Sequence, residues 1–577
     1  MSDRIDFSDR PPVTRMLLGT SVVLVVITFV FGYVGFRQYV QPPYQKSFLD
    51  TTYYTLQLFV FGSDPLQLGG DIPPPLEVAR FAAATVTLIA LFETGRLLLT
   101  DRLRKLRISR RQGHVVICGE SAVARALVHQ FRAAGRNVVS IRPGETDHPH
   151  DVTGNATDPQ VLRDAGVPHA DVLYAASARS ADNVAIAVAA ARLADGRSDD
   201  HPLAVYAEVH DPELCVSLQA RRLAVAQPPG LMLDFFNIDG LAARALFRTD
   251  PLDGDGAGPP RLLVAGGTPM AKAIVVEAGR QWRTRRADPT ARLHVDYMCD
   301  EARAQTAVLR RQYPFIDDAI DTTPYGREVP FAVLVSAQSY DRVFLCYPDE
   351  EESLRLALTT NQLWHSGSRS VTVPLNELAE LTTAFHGRGD APLFDELNGA
   401  LRLYPVVDAA CDPDVIREDL IERLARLIHE HYLAGCRQRG DFMPAASMVD
   451  WSRLDEQRRL ANRLQAADIG YKLQSIGCVL IPRVAAAIPF AFTDEEIEQL
   501  AEREHQRWKE TQERQGWRLG REHDEDARRS PYFVDWQLLA DDLRHKCRAA
   551  VWDLTVILAD AGFDIVRVGE APAPVPV

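Results

Sequence analysis

The strongest constraint on this chain is an unbroken uncharged run between Arg15 and Arg37, Met16–Phe36 (MLLGTSVVLVVITFVFGYVGF). It holds about 20 residues, enough at about 1.5 Å rise each to cross a hydrocarbon core of roughly 30 Å. A second apolar segment, Leu76–Leu99, comes soon after it. The first run is too long for a signal-peptide core, and Arg37-Gln38-Tyr39 after it offers no small-residue cleavage site. It reads as a retained helix. The remainder of the chain, beyond the second segment, reads as soluble, which predicts a membrane-tethered protein whose bulk lies on one side of the bilayer.

The flanks predict the orientation. Residues 101–111 (DRLRKLRISRR) form a dense basic stretch after the second segment, whereas the loop between the segments holds only Arg37 and Lys46. The positive-inside rule then places both termini and the large soluble region in the cytoplasm of a two-pass protein of the bacterial inner membrane. Glu93 and Arg96, three apart near the inner end of the second segment, either face a bundle interior or form an intrahelical pair reaching the headgroups.

Charge and cysteine usage exclude several classes. With 64 basic against 78 acidic residues there is no basic field for nucleic acid. The eight cysteines are scattered, none in C-x-x-C spacing, so neither a zinc knuckle nor a redox couple is indicated and a reducing compartment fits. His429-Glu430-His431 is not expected to bind a metal, because adjacent helix positions do not share a face. With no nucleophile–base pair, metal set or complete cofactor fingerprint, no catalytic residues are assigned and an enzyme is not expected.

The length leaves room for about three or four domains. Pattern shifts divide it into a cytoplasmic N-terminus (1–15), a membrane part with its basic linker (16–111), two α/β lobes (112–250 and 259–410) and a mostly helical C-terminal domain (411–570). The fold class is thus multidomain: two transmembrane helices, two α/β lobes and a helical domain, with a re-entrant pore helix and Rossmann-like lobes as what the family resemblances of the following segments imply.

Between the apolar segments, Ser47–Pro65 (SFLDTTYYTLQLFVFGSDP) reads as a short amphipathic helix ending in a Gly-Ser-Asp turn. Non-helical backbone at membrane depth survives where it lines a water-filled cavity, and ion filters are built from such carbonyls. The stretch resembles the pore region of two-helix potassium channels. That resemblance implies pore positions at Thr55, Phe59, Val60, Phe61, Gly62, Ser63 and Asp64. It also implies a homo-oligomer, by analogy a tetramer, since two spans alone cannot enclose a pore. The family filter is Thr-Val-Gly-Tyr-Gly and then Asp; here Phe61 stands at its first glycine and Ser63 at its second. Filter glycines adopt left-handed angles that a β-carbon resists, which weighs against potassium selectivity of the usual kind. The plainer alternative is a helix that only packs the two spans together.

His114–Pro143 then reads as strand, Gly turn, helix and strand, with Val123, Leu127 and Phe131 on the helix's apolar face and an eroded pattern Gly119-x-Ser121-x-x-Ala124. Gly154-Asn155-Ala156-Thr157-Asp158-Pro159, Leu162–Val167, Ala170-Asp171 and Asp182-Asn183 come next, in that order. Over roughly 114–225 this series resembles the domains that regulate potassium conductance, the RCK or TrkA-N family. The resemblance implies a Rossmann lobe with nucleotide contacts at Gly119, Ser121, Ala124, Arg142, Asn155, Ala156 and Thr157. The second strand ends in Arg142, where NAD binders place Asp or Glu, which favours a phosphate-bearing or anionic ligand. The alternative is a lobe that has lost its ligand and serves assembly. A second unit, opening Arg261–Ala271 (RLLVAGGTPMA) after the linker Pro251–Pro260, looks like a divergent copy with a structural role, because Pro269 removes an amide from its turn.

From Asp414 the pattern turns helical. Thr493 with Glu496 predicts a capping box, and Ile497, Leu500, Ala501, Glu504 and Trp508 line one helix face with His505 at its edge. Glu504 inside an apolar stripe requires a partner, with Arg507, Arg548 or a cationic ligand group as candidates. Leu500-Ala501-x-x-Glu504-His505-x-Arg507-Trp508, then Gly516-Trp517 and Trp536-x-x-Leu539, resembles the repeat domain of ryanodine receptors (RyR). The resemblance implies ligand contacts among His429, Glu504, His505, Arg507, Trp508, Trp517, Trp536 and Arg548; the alternative is that the tryptophans form a core.

Together these readings predict a ligand-gated, ion-channel-like membrane protein with inorganic cations, potassium among them, as its cargo. The cofactor stays open, a nucleotide or dinucleotide-type ligand being the expected class. Its partners would be the lipid bilayer, further copies of itself and a small anionic or nucleotide-derived ligand, but no nucleic acid. The alternatives are a membrane-anchored nucleotide sensor without conduction, or a bacterial defence effector opening an unselective pore.

Overall fold

The computed structural model describes residues 12–569 except 43, 45–46, 63, 145–147, 149, 199–200, 226–229, 253–257, 287, 289, 366–369, 387–392, 395–399, 417–419, 440–447, 484–489, 523 and 525–526. Contacts divide the chain into residues 1–107 and 108–577.

In the first unit, helix α1 (Pro12–Tyr39) and helix α3 (Pro74–Ser109) carry the two apolar segments, each long and apolar enough to cross a membrane over Gly19–Tyr39 and Pro74–Gly95. Between them lies helix α2 (Phe48–Gln57), whose start is capped by the Ser47 hydroxyl accepting from the Asp50 amide at 3.2 Å. Missing side chains on α1 let these elements meet closely. A β-carbon on Gly32 would stand 2.7 Å from Thr55 of α2, and one on Gly35 would stand 2.7 Å from the Leu76 backbone of α3. Phe36, Tyr54, Leu58, Leu76, Ala79 and Ala83 form the small core so created.

The second unit contains two parallel six-stranded sheets. The first is ordered β3-β2-β1-β4-β5-β6, from strands β1 (Val115–Cys118), β2 (Val138–Arg142), β3 (Val152–Thr153), β4 (Val172–Ala175), β5 (Leu203–Glu208) and β6 (Leu231–Phe236). The second is ordered β12-β11-β10-β7-β8-β9, from β7 (Arg261–Ala265), β8 (Leu293–Met298), β9 (Ile320–Tyr325), β10 (Arg342–Leu345), β11 (Ser370–Leu375) and β12 (Leu401–Pro405). Numbered within each lobe, both read 3-2-1-4-5-6, the doubly wound order whose crevice opens where the winding reverses, between its first and fourth strands. β1, β4, β5 and β7 are buried at nearly every position, as strands covered on both faces by helices should be. One apolar core joins the lobes, running from Val115 and Leu127 through Leu241–Phe247 to Ile274 and Phe315.

The helical domain folds around two antiparallel strands, Cys478–Pro482 and Phe563–Arg567. It is seated on the first lobe's helix Pro212–Leu223, with Ala220 and Leu223 inside the domain's own core. Gly470 allows this approach: a β-carbon there would lie 1.8 Å from the Leu223 carbonyl oxygen.

Candidate functional site

Three places collect the predicted site residues. The first is the segment after α2. A 3₁₀ turn (Leu58–Val60) leads to Phe61, which holds left-handed angles (φ 64°, ψ 21°) that cost a non-glycine residue roughly 1–2 kcal/mol. A second 3₁₀ turn spans Asp64–Leu68. Gln57 and Asp64 clamp the segment reciprocally: the Gln57 amide donates to Asp64 Oδ2 at 3.0 Å and the Asp64 amide to Gln57 Oε1 at 3.1 Å. Phe59 reaches both long helices, its ring 6.0 Å from that of Phe29 and its carbonyl accepting from the Thr87 hydroxyl at 2.7 Å. Phe29 and Thr87 lie near the centres of their apolar spans, so the segment returns to mid-span depth. Thr55 is buried, with its hydroxyl on the Thr51 carbonyl at 2.8 Å. Val60 and Phe61 are exposed, as is Gly62, while Asp64 is half-buried. Ser63 and the side chain of Arg96 lie outside the described residues.

The second is the carboxyl edge of the first sheet. Gly119 ends β1 at φ 121°, and a β-carbon there would sit 2.3 Å from the Ala176 carbonyl oxygen. Its amide donates to Ile141 at 3.0 Å, placing the turn beside the tip of β2 and therefore beside Arg142. Ser121 caps helix α4 (Ala122–Ala133): its hydroxyl accepts from the Ala124 amide at 3.1 Å and donates to the Ala176 carbonyl at 2.7 Å. That hydroxyl has no proton left for a phosphate, so the turn can offer only helix N-terminal amides and dipole. Ala124 is buried against the sheet. The half-buried Arg142 rests its Nε on Ser140 Oγ at 3.1 Å. Next to β2, β3 leads to Gly154, whose amide meets the Arg142 carbonyl at 2.8 Å; Asn155 Oδ1 then accepts from the Thr157 amide at 3.0 Å, and Ala156 is buried. The fold thus brings all seven predicted positions to one sheet edge, with Asn155 shaping its own turn.

Sequence reading missed Glu208 at the tip of β5 on the same edge. It is buried, its Oε2 has no hydrogen-bond partner among the described residues, and burial pushes its carboxyl up to about 7. His210 stands 3.5 Å away. No local pattern marks this residue; only its place at a strand tip does.

The third is the helix Asp494–Arg514 and its surroundings. The capping box closes in both directions, with the Thr493 amide donating to Glu496 Oε2 at 2.8 Å and the Glu496 amide to Thr493 Oγ1 at 3.3 Å. Glu504 is buried between Lys472 Nζ, in direct contact, and Arg507 at 2.5 Å. Burial would raise its carboxyl, but the Lys472 ammonium and the Arg507 guanidinium outweigh that and hold it at about 2. The expectation for Arg548 is corrected: it pairs with Glu498 at 2.7 Å, because that carboxylate lies one helical face away from Glu504. Lys472, from another helix, is the partner that sequence reading missed. His505 is buried, not at the edge; its Nε2 bonds to Val534 O at 2.8 Å, and its ring lies 5.9 Å from both Trp508 and Trp536. Trp536 donates its indole N–H to Glu498 at 2.9 Å. His429 belongs elsewhere in the core, bonded to Val449 O at 2.7 Å and packed on Trp451. Trp517 is half-buried after the helix stop at Gly516. A cleft of about 430 Å³ opens beside this cluster, lined in part by Arg503, His505, Asp535 and Trp536.

Among curated proteins none matches. Of solved structures, GsuK bound to ADP is 16% identical over 70% of this chain and 98% of its own, with a TM-score of 0.33. The GsuK channel bound to NAD is 15% identical over 70% and 84%, at 0.34. Dipicolinate synthase A chain from Bacillus subtilis is 11% identical over 56% and 98%, at 0.22. Likenesses this loose carry no argument about the site. Residues 115–225 match the TrkA-N domain and residues 491–567 the RyR domain. By these matches the chain combines a TrkA-N domain and an RyR domain with two helices of membrane-spanning length and composition.

Proposed function

We propose that this protein is an oligomeric, nucleotide-gated ion-channel-like protein of the bacterial inner membrane, acting through binding and not through catalysis. One observation carries the reading: the segment after α2 returns to the middle of the two candidate spans, where Phe59 meets Phe29 and Thr87. A surface helix joining two spans has no reason to reach that depth, whereas a pore helix must. Two spans per chain require several copies around the path, four by analogy with two-helix channels. The basic stretch at 101–111 keeps the large unit cytoplasmic.

The ligand is a phosphate-bearing nucleotide held at the carboxyl edge of the first sheet. The α4 amides face its phosphate and Arg142 supplies the positive charge. Gating needs differential affinity: a nucleotide that binds the conducting arrangement tenfold more tightly shifts the balance by about 1.4 kcal/mol. The RyR domain, docked on the same lobe, is placed to report on that arrangement. Cysteines introduced at Leu56 and Val60 test the reading in vesicles containing the full chain. Protection from external thiol reagents, with ion flux that responds to ADP or NAD, is the expected result; full reactivity and sealed vesicles would refute it.

A further inference from the structure

At the base of β1, opposite the edge that carries Gly119, a buried polar atom goes without a partner. His114 directly precedes β1 and is fully buried. Its Nε2 bonds to the Ala165 carbonyl at 2.9 Å, and since a carbonyl only accepts, Nε2 carries the ring proton. Nδ1 is then an acceptor, buried and with no hydrogen-bond partner among the described residues. Such orphans are rare, because nothing offsets the cost of taking them out of water.

The ring sits at the joint where α3 runs into the first lobe. Helix α3 ends at Ser109, and Ile108 is already buried in the lobe's core with Val116, Leu162 and Val167. Gly166, the Ile108 carbonyl and the His114 ring meet at one point: a β-carbon on Gly166 would lie 2.9 Å from that oxygen and 3.0 Å from His114 Cε1. The same carbonyl accepts from the Arg111 amide at 3.0 Å, and the Gly113 amide donates to His169 O at 3.1 Å. A proton on Nδ1 would create a buried charge with no acceptor. Burial opposes that charge first, and Arg111 and His169 oppose it as well. The bond to Ala165 and the carboxylate of Asp171 favour it, but Asp171 is exposed and shared with Arg136 at 3.3 Å. The balance holds the imidazole below its ordinary 6.5.

We infer that His114 is a proton latch on this joint: neutral, it lets the seat of Ile108 close, and protonated, it must reach water, which opens the seat and loosens the tie between α3 and the first lobe. An open seat takes up the proton below 6.5 and a closed one does not. Closure is therefore favoured in full above 6.5 and loses ground as pH falls below it towards the lowered value. One proton linked in this way raises the open fraction by up to about tenfold between about pH 7.5 and 5.5.

Hydrogen exchange of the full-length, detergent-solubilised protein, followed by mass spectrometry at those two pH values with times scaled for the intrinsic rate, tests this. Peptides covering Ile108–His114 should lose up to about tenfold in protection at the lower pH, with β4 unchanged. His114→Phe keeps a flat ring that cannot take a proton, and should abolish the difference. An unchanged segment in the unaltered protein, or the same loss in His114→Phe, would overturn the inference. Where His114→Phe does not fold, the imidazole of the unaltered protein is read directly. Exchange of its Cε1 hydrogen should titrate below 6.5 and run slower than that of the exposed His129, whereas titration at 6.5 or above would overturn the latch. No ion flux enters the readout, so failure of the channel reading leaves the latch standing.

Discussion

The two α/β lobes share a scaffold down to single hydrogen bonds yet present opposite chemistry at their tips. In the first, Gly119 donates to Ile141, Ser121 donates to Ala176, and the Ser177 amide is received by Asn183. In the second, Gly266 donates to Met298, Thr268 to Cys346, and the Tyr347 amide is received by Ser353. At the tip of the second strand, however, the first lobe carries Arg142 where the second has Cys299, followed by Asp300, which pairs with Arg327 at 3.4 Å. The helix after the second lobe's fourth strand opens with Asp349, Glu350, Glu351 and Glu352, and Glu350 already fills the amides of Asn376, Glu377 and Leu378 at 2.6–3.0 Å. That edge of the second lobe is therefore lined by carboxylates, which repel a phosphate. Backbone geometry makes the same turn in both lobes, and a few charged side chains give the two turns opposite surroundings.

The largest test of that equivalence is steric. Gly119→Ala and Gly266→Ala push a β-carbon against a carbonyl oxygen, at 2.3 and 1.9 Å, from backbone angles that already resist it. Each should cost about 4–5 kcal/mol or abolish folding, read as thermal midpoint and soluble yield. Tolerance in only one lobe would break the comparison. Outside the lobes, Lys472→Met leaves the buried Glu504 with Arg507 as its remaining cation and should cost about 2–3 kcal/mol. Because Glu504 is depressed in the fold, its contribution is present above the ordinary value of 4.5 and is lost as pH falls towards about 2.

Glu208 has the opposite sign. Its folded carboxyl is raised, so its protonated form favours the fold below 4.5, and about 3 kcal/mol is lost as pH rises through about 7. Glu208→Gln should flatten that part of the stability curve, measured by denaturant unfolding across pH. The smallest effect sharpens the comparison most. Arg142→Ala should weaken ADP binding by about tenfold, or 1.4 kcal/mol, while Asp300→Asn leaves it unchanged in calorimetry. Equal losses at both positions would mean that the lobes are used alike.

Much of this was legible in one dimension. The apolar runs gave both long helices because about twenty uncharged residues have few other fates. The capping box was readable because Thr493 and Glu496 are neighbours along the chain. The duplicated Gly-x-Ser/Thr-x-x-Ala turn was readable for the same reason. Trp508 and Trp536 were visible as a cluster but not as a pair, since only the fold places His505 against both.

Local pattern and hydropathy, which the sequence carries by itself, determined the membrane-length helices, two strand–helix alternations with glycine turns, and the start and stop of the long RyR-domain helix. Tertiary structure alone decided the partners. Glu504 went to Lys472 and not to Arg548, the strand-tip acid Glu208 was left buried, and the Phe59 carbonyl was handed to Thr87. The physical reason is range. Propensity, capping and periodicity act over a few residues, whereas charge pairing, desolvation and hydrogen-bond closure depend on which distant groups the packing brings within about 3 Å.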